Sequence, residues 1–116
     1  MAKTQSHSLY QGQLDTFDIT VTDETGAVVD LSALTGAQLR YCVSNPGSGS
    51  LLELTLGSGV AFKTDGTDGV VTVTITALQS TAFPVATLSH AFWVNDGSTR
   101  NEPATVGHLH VLDAGC

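Results

Sequence analysis

The sequence predicts an all-β sandwich, and two observations carry this prediction. Phe17, Ile19 and Val21 alternate with polar residues, which is the period of a strand with one buried face and one solvated face. The same pattern recurs along the chain, where turns of glycine, aspartate and asparagine separate short alternating runs. We therefore expect about seven to eight short antiparallel strands, at a spacing typical of a β-sandwich.

The expected elements follow one another within a single domain. Residues 1–12 are predicted to form an N-terminal arm or edge strand, residues 13–112 the sandwich, and residues 113–116 a flexible tail. The predicted strands lie near residues 13–23, 27–31, 37–44, 51–56, 60–63, 70–76, 87–95 and 104–112. The segments between these strands are rich in residues that favour turns.

One segment breaks the alternation of polar and apolar residues. Over residues 77–83 we expect a short helical turn, in which Leu78 and Phe83 close one end of the sandwich. Pro84 ends this turn, because proline cannot continue a helix. No longer stretch of the sequence shows the pattern of an amphipathic helix.

The predicted core consists of apolar residues that share the inward face of their strands. These residues are Phe17, Ile19, Val21, Leu39, Tyr41, Val43, Val71, Val73, Ile75, Phe92, Val94, Leu109 and Val111. Trp93 follows Phe92 directly and therefore points to the opposite face. An outward tryptophan is either covered by a loop or part of a contact surface. We expect Trp93, with Leu9 and Tyr10 of the arm, to contribute to protein contacts.

The composition argues against several classes of function. Four Lys and Arg residues stand against eleven Asp and Glu residues, which gives a net charge of −7. Nucleic acids and anionic membranes require a basic face, so we expect neither as a partner. Only 13% of the residues are charged, which indicates that part of the outer surface faces other protein. No apolar run approaches the roughly 20 residues of a membrane span, and no secretory signal is visible, so we expect synthesis in the cytoplasm.

The sequence contains no P-loop, nucleophile elbow or CxxC motif. His108 and His110 lie two apart on one predicted strand and share a face, which makes them weak candidates for metal ligands. A metal site would need a further ligand, and His90 is a neighbour if the last two long strands pair. Asp65 and Asp68 are expected to form a turn, because the other ligands of a calcium loop are missing. We therefore expect no enzymatic activity, no cofactor and no metal.

Three features of the sequence carry a resemblance to a known family. Residues 13–23 read QLDTFDITVTD, and residues 26–40 read GAVVDLSALTGAQLR. These two segments resemble small immunoglobulin-like proteins of tailed bacteriophages, whose domains start with GDTFxITVTV and continue with a G.pvDLTGAtvr segment. The third feature is GTDGVVTVTI over residues 66–75, with a late closing strand, GHLHV, over residues 107–111. Residues 84–90 depart from the pattern, because such proteins often carry a PGxYxY segment there. The N-terminal domain of the baseplate upper protein and stand-alone decoration proteins look like this.

The resemblance implies an immunoglobulin-like β-sandwich that acts as a structural protein of the virion, without catalytic residues. The first interpretation is a capsid decoration or cement protein, a homo-oligomer that contacts the major capsid protein or other virion proteins. We expect a single domain without a receptor-binding extension, which favours a protein that sits on a lattice made by others. The alternative is a tail, collar or baseplate component. A carbohydrate-binding module is a third reading, with Trp93, Tyr10 and Tyr41 as its aromatic candidates.

The two cysteines leave two alternatives open. Cys42 is predicted to lie on the outward face of its strand, and Cys116 ends the tail. In an immunoglobulin-like strand order, the strand of Cys42 and the last strand flank a third strand, which separates them by about 9–10 Å. A disulfide requires Cα atoms roughly 4.4–6.8 Å apart, so an internal bridge is disfavoured. Cys42 and Cys116 are therefore either candidates for an intermolecular disulfide in an oxidising medium or two unpaired thiols.

Overall fold

The computed structural model describes residues 3–46, 49–97 and 101–113 of the 116-residue chain. These residues form nine strands: β1 (Lys3–Thr4), β2 (His7–Tyr10), β3 (Asp15–Thr20), β4 (Leu39–Asn45), β5 (Gly49–Leu56), β6 (Gly59–Phe62), β7 (Val70–Ile75), β8 (Thr87–Asn95) and β9 (Asn101–Leu112). A 3-10 turn spans Gly36–Gln38, and a short α-helix, α1, spans Ala77–Thr81. Within these described ranges, no helix is long and apolar enough to cross a membrane.

The strands lie along one hydrogen-bonded path that curls into a nearly closed, sandwich-like barrel. Their order is β1-β9-β8-β4-β5-β6-β7-β3, and β2 also pairs with β9. Most neighbouring strands are antiparallel, whereas β1 and β2 run parallel to β9, and β6 runs parallel to β5. The predicted all-β architecture is confirmed. The sheet is mixed rather than purely antiparallel, because the N-terminal strands add parallel to β9 and because β6 pairs parallel with β5.

The predicted strand over residues 27–31 does not form. Val28 makes only an isolated bridge with Thr22. On either side, aspartate side chains hold the backbone in turns: Asp23 accepts hydrogen bonds from the amides of residues 25 and 27, and Asp30 accepts one from the Ser32 amide. Such local bonds compete with the ladder of a sheet, which explains the difference from the prediction.

The short helix forms where the sequence predicts a helical turn. Thr76 caps its N-terminus: the Gln79 amide donates to Thr76 Oγ1 at 3.1 Å, and the Thr76 amide donates to Gln79 Oε1 at 2.9 Å. Phe83 is 1% exposed and packs into the core as predicted. The prediction for Leu78 is wrong, since its side chain is 84% exposed. Leu78 lies on the exposed side of the helix, whereas Phe83 follows the end of the helix at Thr81, so the two side chains do not point in the same direction.

The core lies between the inward faces of the strands, and the alternation in the sequence predicts its main part correctly. All thirteen predicted core residues are buried, with Phe17 the most exposed of them at 8%. Seven further apolar residues complete the core: Leu9, Leu31, Leu54, Val60, Phe83, Leu88 and Ala104. Trp93 lies half-buried on the face opposite Phe92, as the period of a strand requires.

The N-terminal strands cover the outer edge of β9. Between β1 and β2, the Gln5 amide donates to the Val106 carbonyl at 2.9 Å. Gly107 permits this close approach, because a Cβ atom there would lie 2.0 Å from the Gln5 carbonyl oxygen. Leu9 of β2 is 2% exposed and joins the core. The domain boundaries after residues 12 and 112 stay predictions, and residues 114–116 lie outside the described part of the chain.

Candidate contact surface

The outer face of β4, β8 and β9 carries the residues that the sequence predicts to point outward. Cys42 on β4 lies opposite Ala91 on β8, and Ala91 lies opposite Val106 on β9. Two residues along the strands, Arg40 lies opposite Trp93. The strand that carries Cys42 and the last strand therefore flank β8, which is the strand order assumed in the analysis of the cysteines.

A groove of about 500 Å³ lies on this outer face. Short side chains form its middle, because serine and alanine occupy the outward positions of β8 on one side of Trp93. The main lining residues are Cys42, Ser44, Ser89, Ala91, Trp93 and His108. A groove floored by short side chains and bordered by a tryptophan offers space for a protruding group of another protein.

Trp93 is held in place by a cationic neighbour. The Arg40 guanidinium carbon lies 5.3 Å from the centroid of the Trp93 ring, which is the geometry of a cation–π contact. A second depression of about 320 Å³ also borders Trp93, and most of its other lining residues are polar: they include Gln38, Glu53, Asn95 and Asn101. The surface around Trp93 thus combines an aromatic side chain, short side chains and a polar border, features that also occur at protein interfaces.

Cys42 is a half-buried free thiol in this groove. Burial raises the pKa of the Cys42 thiol; the Arg40 guanidinium opposes this rise and the Glu53 carboxylate adds to it. The thiolate, which is the reactive form, is therefore scarce at neutral pH. Cys116 lies outside the described residues, so the intermolecular disulfide stays a prediction.

The two weak candidates for metal ligands, His108 and His110, do not have His90 beside them as the third ligand that a metal site needs. The ring centroids of His108 and His110 lie 6.2 Å apart, and His110 Nδ1 lies 3.2 Å from Thr87 Oγ1. β8 and β9 do pair, but His90 is only 4% exposed and points into the core. Among residues 3–46, 49–97 and 101–113, no three His, Cys, Asp or Glu side chains are placed to hold a metal ion.

Asp65 and Asp68 form the turn that the sequence predicts. Asp65 Oδ1 accepts hydrogen bonds from the Thr67 hydroxyl at 2.6 Å and the Thr67 amide at 3.0 Å. These bonds lower the pKa of the Asp65 carboxyl. Asp68 Oδ1 accepts from the Val70 amide at 3.1 Å, so both carboxylates act in turns.

The two arm residues proposed as contact residues differ in accessibility. Leu9 is 2% exposed, so the structure removes it from the accessible candidates and assigns it to the core. The side chains of β2 alternate between its two faces. Leu9 points inward because it lies on the same face of the sheet as the core residues of the neighbouring strand β9. Tyr10 is 50% exposed and stays a predicted contact residue.

A buried polar pair, which was not predicted from the sequence, lies beneath the arm. Tyr41 Oη lies 2.9 Å from His90 Nδ1, and His90 Nε2 lies 2.5 Å from the Gln5 carbonyl oxygen. Burial lowers the pKa of His90 below its ordinary value and raises the pKa of Tyr41 far above the usual range. The inward position of His90 could have been predicted, because it lies two residues from Phe92 on the same strand and shares its face.

No protein-family model matches this chain, and no curated protein matches its sequence. Among solved structures, the chain is similar to the N-terminal domain of phage TP901-1 ORF48, with a TM-score of 0.59 and 10% sequence identity. The similarity covers 95% of this chain and 95% of that one. At this identity it shows the fold alone: the chain has the fold of a domain found in a phage protein.

Proposed function

We propose that this chain is a structural protein of a phage virion, which binds other virion proteins and catalyses no reaction. The observation that carries the proposal is the similarity of fold to a phage protein domain over 95% of both chains. Two further features support it. Only 13% of the residues are charged, and the outer face carries a groove beside Trp93. Both are expected of a protein whose outer surface faces other proteins.

Capsid decoration is the more specific form of the proposal. In this form, the outer face around Trp93 contacts the major capsid protein or a second copy of the chain. A contact of about 800 Å² per partner is enough, because it repeats many times on a lattice. Cys42 and Cys116 then form intermolecular disulfides that lock contacts already made by packing. A non-reducing gel of assembled particles that shows only monomer would exclude these bridges.

A tail, collar or baseplate component is the alternative, and the fold fits it equally well. The two locations can be separated by sedimenting the purified protein with isolated capsids and, in a parallel experiment, with isolated tails. Saturable binding to capsids supports decoration, whereas saturable binding to tails alone supports the alternative. Absence of saturable binding to either would contradict the proposed structural role.

A carbohydrate-binding module is a second candidate function, favoured by one observation. The depression beside Trp93 is lined by the amides of Asn95 and Asn101 and by the Glu53 carboxylate, and such groups hydrogen-bond sugar hydroxyls. A glycan array probed with the purified protein tests it. Specific glycan binding that is lost in Trp93→Ala would support this candidate, and an array without signal would exclude it for the glycans displayed.

A further inference from the structure

The N-terminal strands are fixed to the body by a buried histidine as well as by strand pairing. His90 Nε2 lies within hydrogen-bond distance of the Gln5 carbonyl oxygen, which can only accept. Nε2 must therefore carry the hydrogen and donate. In the neutral ring, Nδ1 then accepts from the Tyr41 hydroxyl at 2.9 Å. Both ring nitrogens are thus satisfied in the neutral form of His90.

Other contacts of the arm depend on the same close approach. Gln5 Nε2 donates to the Asp18 carbonyl of β3 at 3.2 Å. His7 on β2 pairs with Asp15 on β3, and its ring centroid lies 4.3 Å from that of Phe17. The arm therefore pairs with β9 on one side and contacts β3 through side chains on the other, so it lies between the two ends of the strand path.

We propose that the N-terminal arm, β1 and β2, is a latch that opens in mild acid, because protonation of His90 releases it and uncovers the backbone edge of β9. A protonated ring has two donors, so its Nδ1–H would face the Tyr41 hydroxyl, which would have to turn its own proton away. The new charge would also be buried at a site that is 4% exposed, with the Phe17 ring centroid 6.4 Å away. Withdrawal of the arm admits water to the ring, which solvates the charge and offers a new acceptor for the proton that the Tyr41 hydroxyl turns away.

The groups that face His90 from the surrounding elements also disfavour its charged form. The nearby His7 on β2 and His108 on β9 each lower the pKa of His90 further by electrostatic repulsion. Asp15 on β3 carries the opposite sign, but it is paired with His7. Tyr41 on β4 stays neutral, because burial raises its pKa. Burial of His90 is the main reason that its pKa lies below the ordinary value, and the Gln5 carbonyl opposes this shift only in part.

The direction of the pH effect follows from the difference between the pKa of His90 in the docked form and in the released form of the arm. Once the arm leaves, the His90 ring becomes accessible and its pKa rises towards the ordinary value of 6.5. Docking is therefore strongest at pH values well above 6.5 and weakens as the pH falls through the range between the two pKa values. One extra proton is bound by the released form in this range, so the docking equilibrium constant falls about tenfold per pH unit.

Amide hydrogen exchange on the full-length protein between pH 7.5 and 5.0 tests the latch. Protection factors remove the intrinsic pH dependence of exchange, and the reporters are the amides of Gln5 and Gln11, which donate to the Val106 and Leu112 carbonyls. We expect their protection to fall as the pH drops below 6.5, by up to about tenfold per pH unit, while the β7 amides stay protected. Arm protection that does not change with pH would contradict the latch. An equal loss of protection in the β7 amides would also contradict it, because such a loss indicates global unfolding.

Two variants separate His90 from its neighbours. His90→Gln keeps one donor and one acceptor at every pH, so the pH dependence of arm protection should disappear even if docking is weaker overall. His7→Gln is the matched control, and it should keep the pH dependence. The opposite result, with the dependence lost only in His7→Gln, would assign the effect to the pair with Asp15 and overturn the proposal. If His90→Gln does not fold, NMR titration of the His90 ring in the unaltered protein provides the test. The pH midpoint of this titration must equal the pH midpoint of arm release, and different midpoints would overturn the proposal.

Discussion

Replacement of Gly107 by alanine tests whether the N-terminal arm docks as the structure shows. Gly107→Ala adds a Cβ atom that would lie 2.0 Å from the Gln5 carbonyl oxygen, so the arm must shift or leave. A shift of packed groups costs about 1–3 kcal/mol. Full release loses the burial of Leu9, worth about 1.5–3 kcal/mol. We therefore expect the free energy of unfolding to fall by about 2 kcal/mol and Tm by roughly 8 °C.

Chemical denaturation measures this change, and amide exchange of residues 5–11 shows whether the arm is the part affected. Gly97→Ala is a matched control, because a Cβ atom there meets nothing within 4 Å and only its φ of +83° is unfavourable. The control should cost about 1 kcal/mol and leave the arm protected. An unfolding free energy of Gly107→Ala within about 0.5 kcal/mol of the unaltered protein, with arm amides still protected, would refute the docked geometry.

Three further predictions follow from burial and exposure. Leu9→Ala should lower the free energy of unfolding by about 2–4 kcal/mol, because it leaves a cavity in the core. Leu78→Ala, at an 84% exposed site, should change this free energy by less than about 0.5 kcal/mol, and denaturation curves of the two variants test the difference. Trp93→Ala should weaken binding to virion particles by about 2 kcal/mol with Leu78→Ala again as the control, and equal affinities in a sedimentation assay would exclude the Trp93 surface. In a Cys116→Ser variant, Cys42 should react with a thiol reagent more slowly than a free cysteine does at pH 8, since burial raises its pKa, and a rate equal to that of a model thiol would contradict this environment.

The core and the outward position of Trp93 could be predicted because both depend on a local rule. Side chains of a strand alternate between two faces, so Phe92 and Trp93 are assigned as soon as one of them is known. The same rule indicates that His7 and Leu9 share one face of β2. It does not indicate whether that face points into the core or to the solvent. The place of Leu9 in the core depends on β9, about a hundred residues further along the chain.

Long-range pairing explains what sequence reasoning missed. The parallel pairing of the arm with β9 has no local signal, because any edge strand offers the same backbone groups. Gly107 carries part of the information, since a glycine within a strand often marks close backbone approach. The groove beside Trp93 likewise results from three strands that are adjacent in the sheet and distant in sequence. Alternation predicts that Cys42 and Ala91 point outward, but not that they lie opposite each other.

Cryo-electron microscopy of phage particles assembled in the presence of this protein tests the central claim most directly. We expect density that fits the nine-stranded barrel on the surface of the virion, with the face around Trp93 against another virion protein. Density on the capsid lattice would support decoration, and density at the tail, collar or baseplate would support the alternative location. Particles that contain no copy of the protein would contradict the proposed structural role.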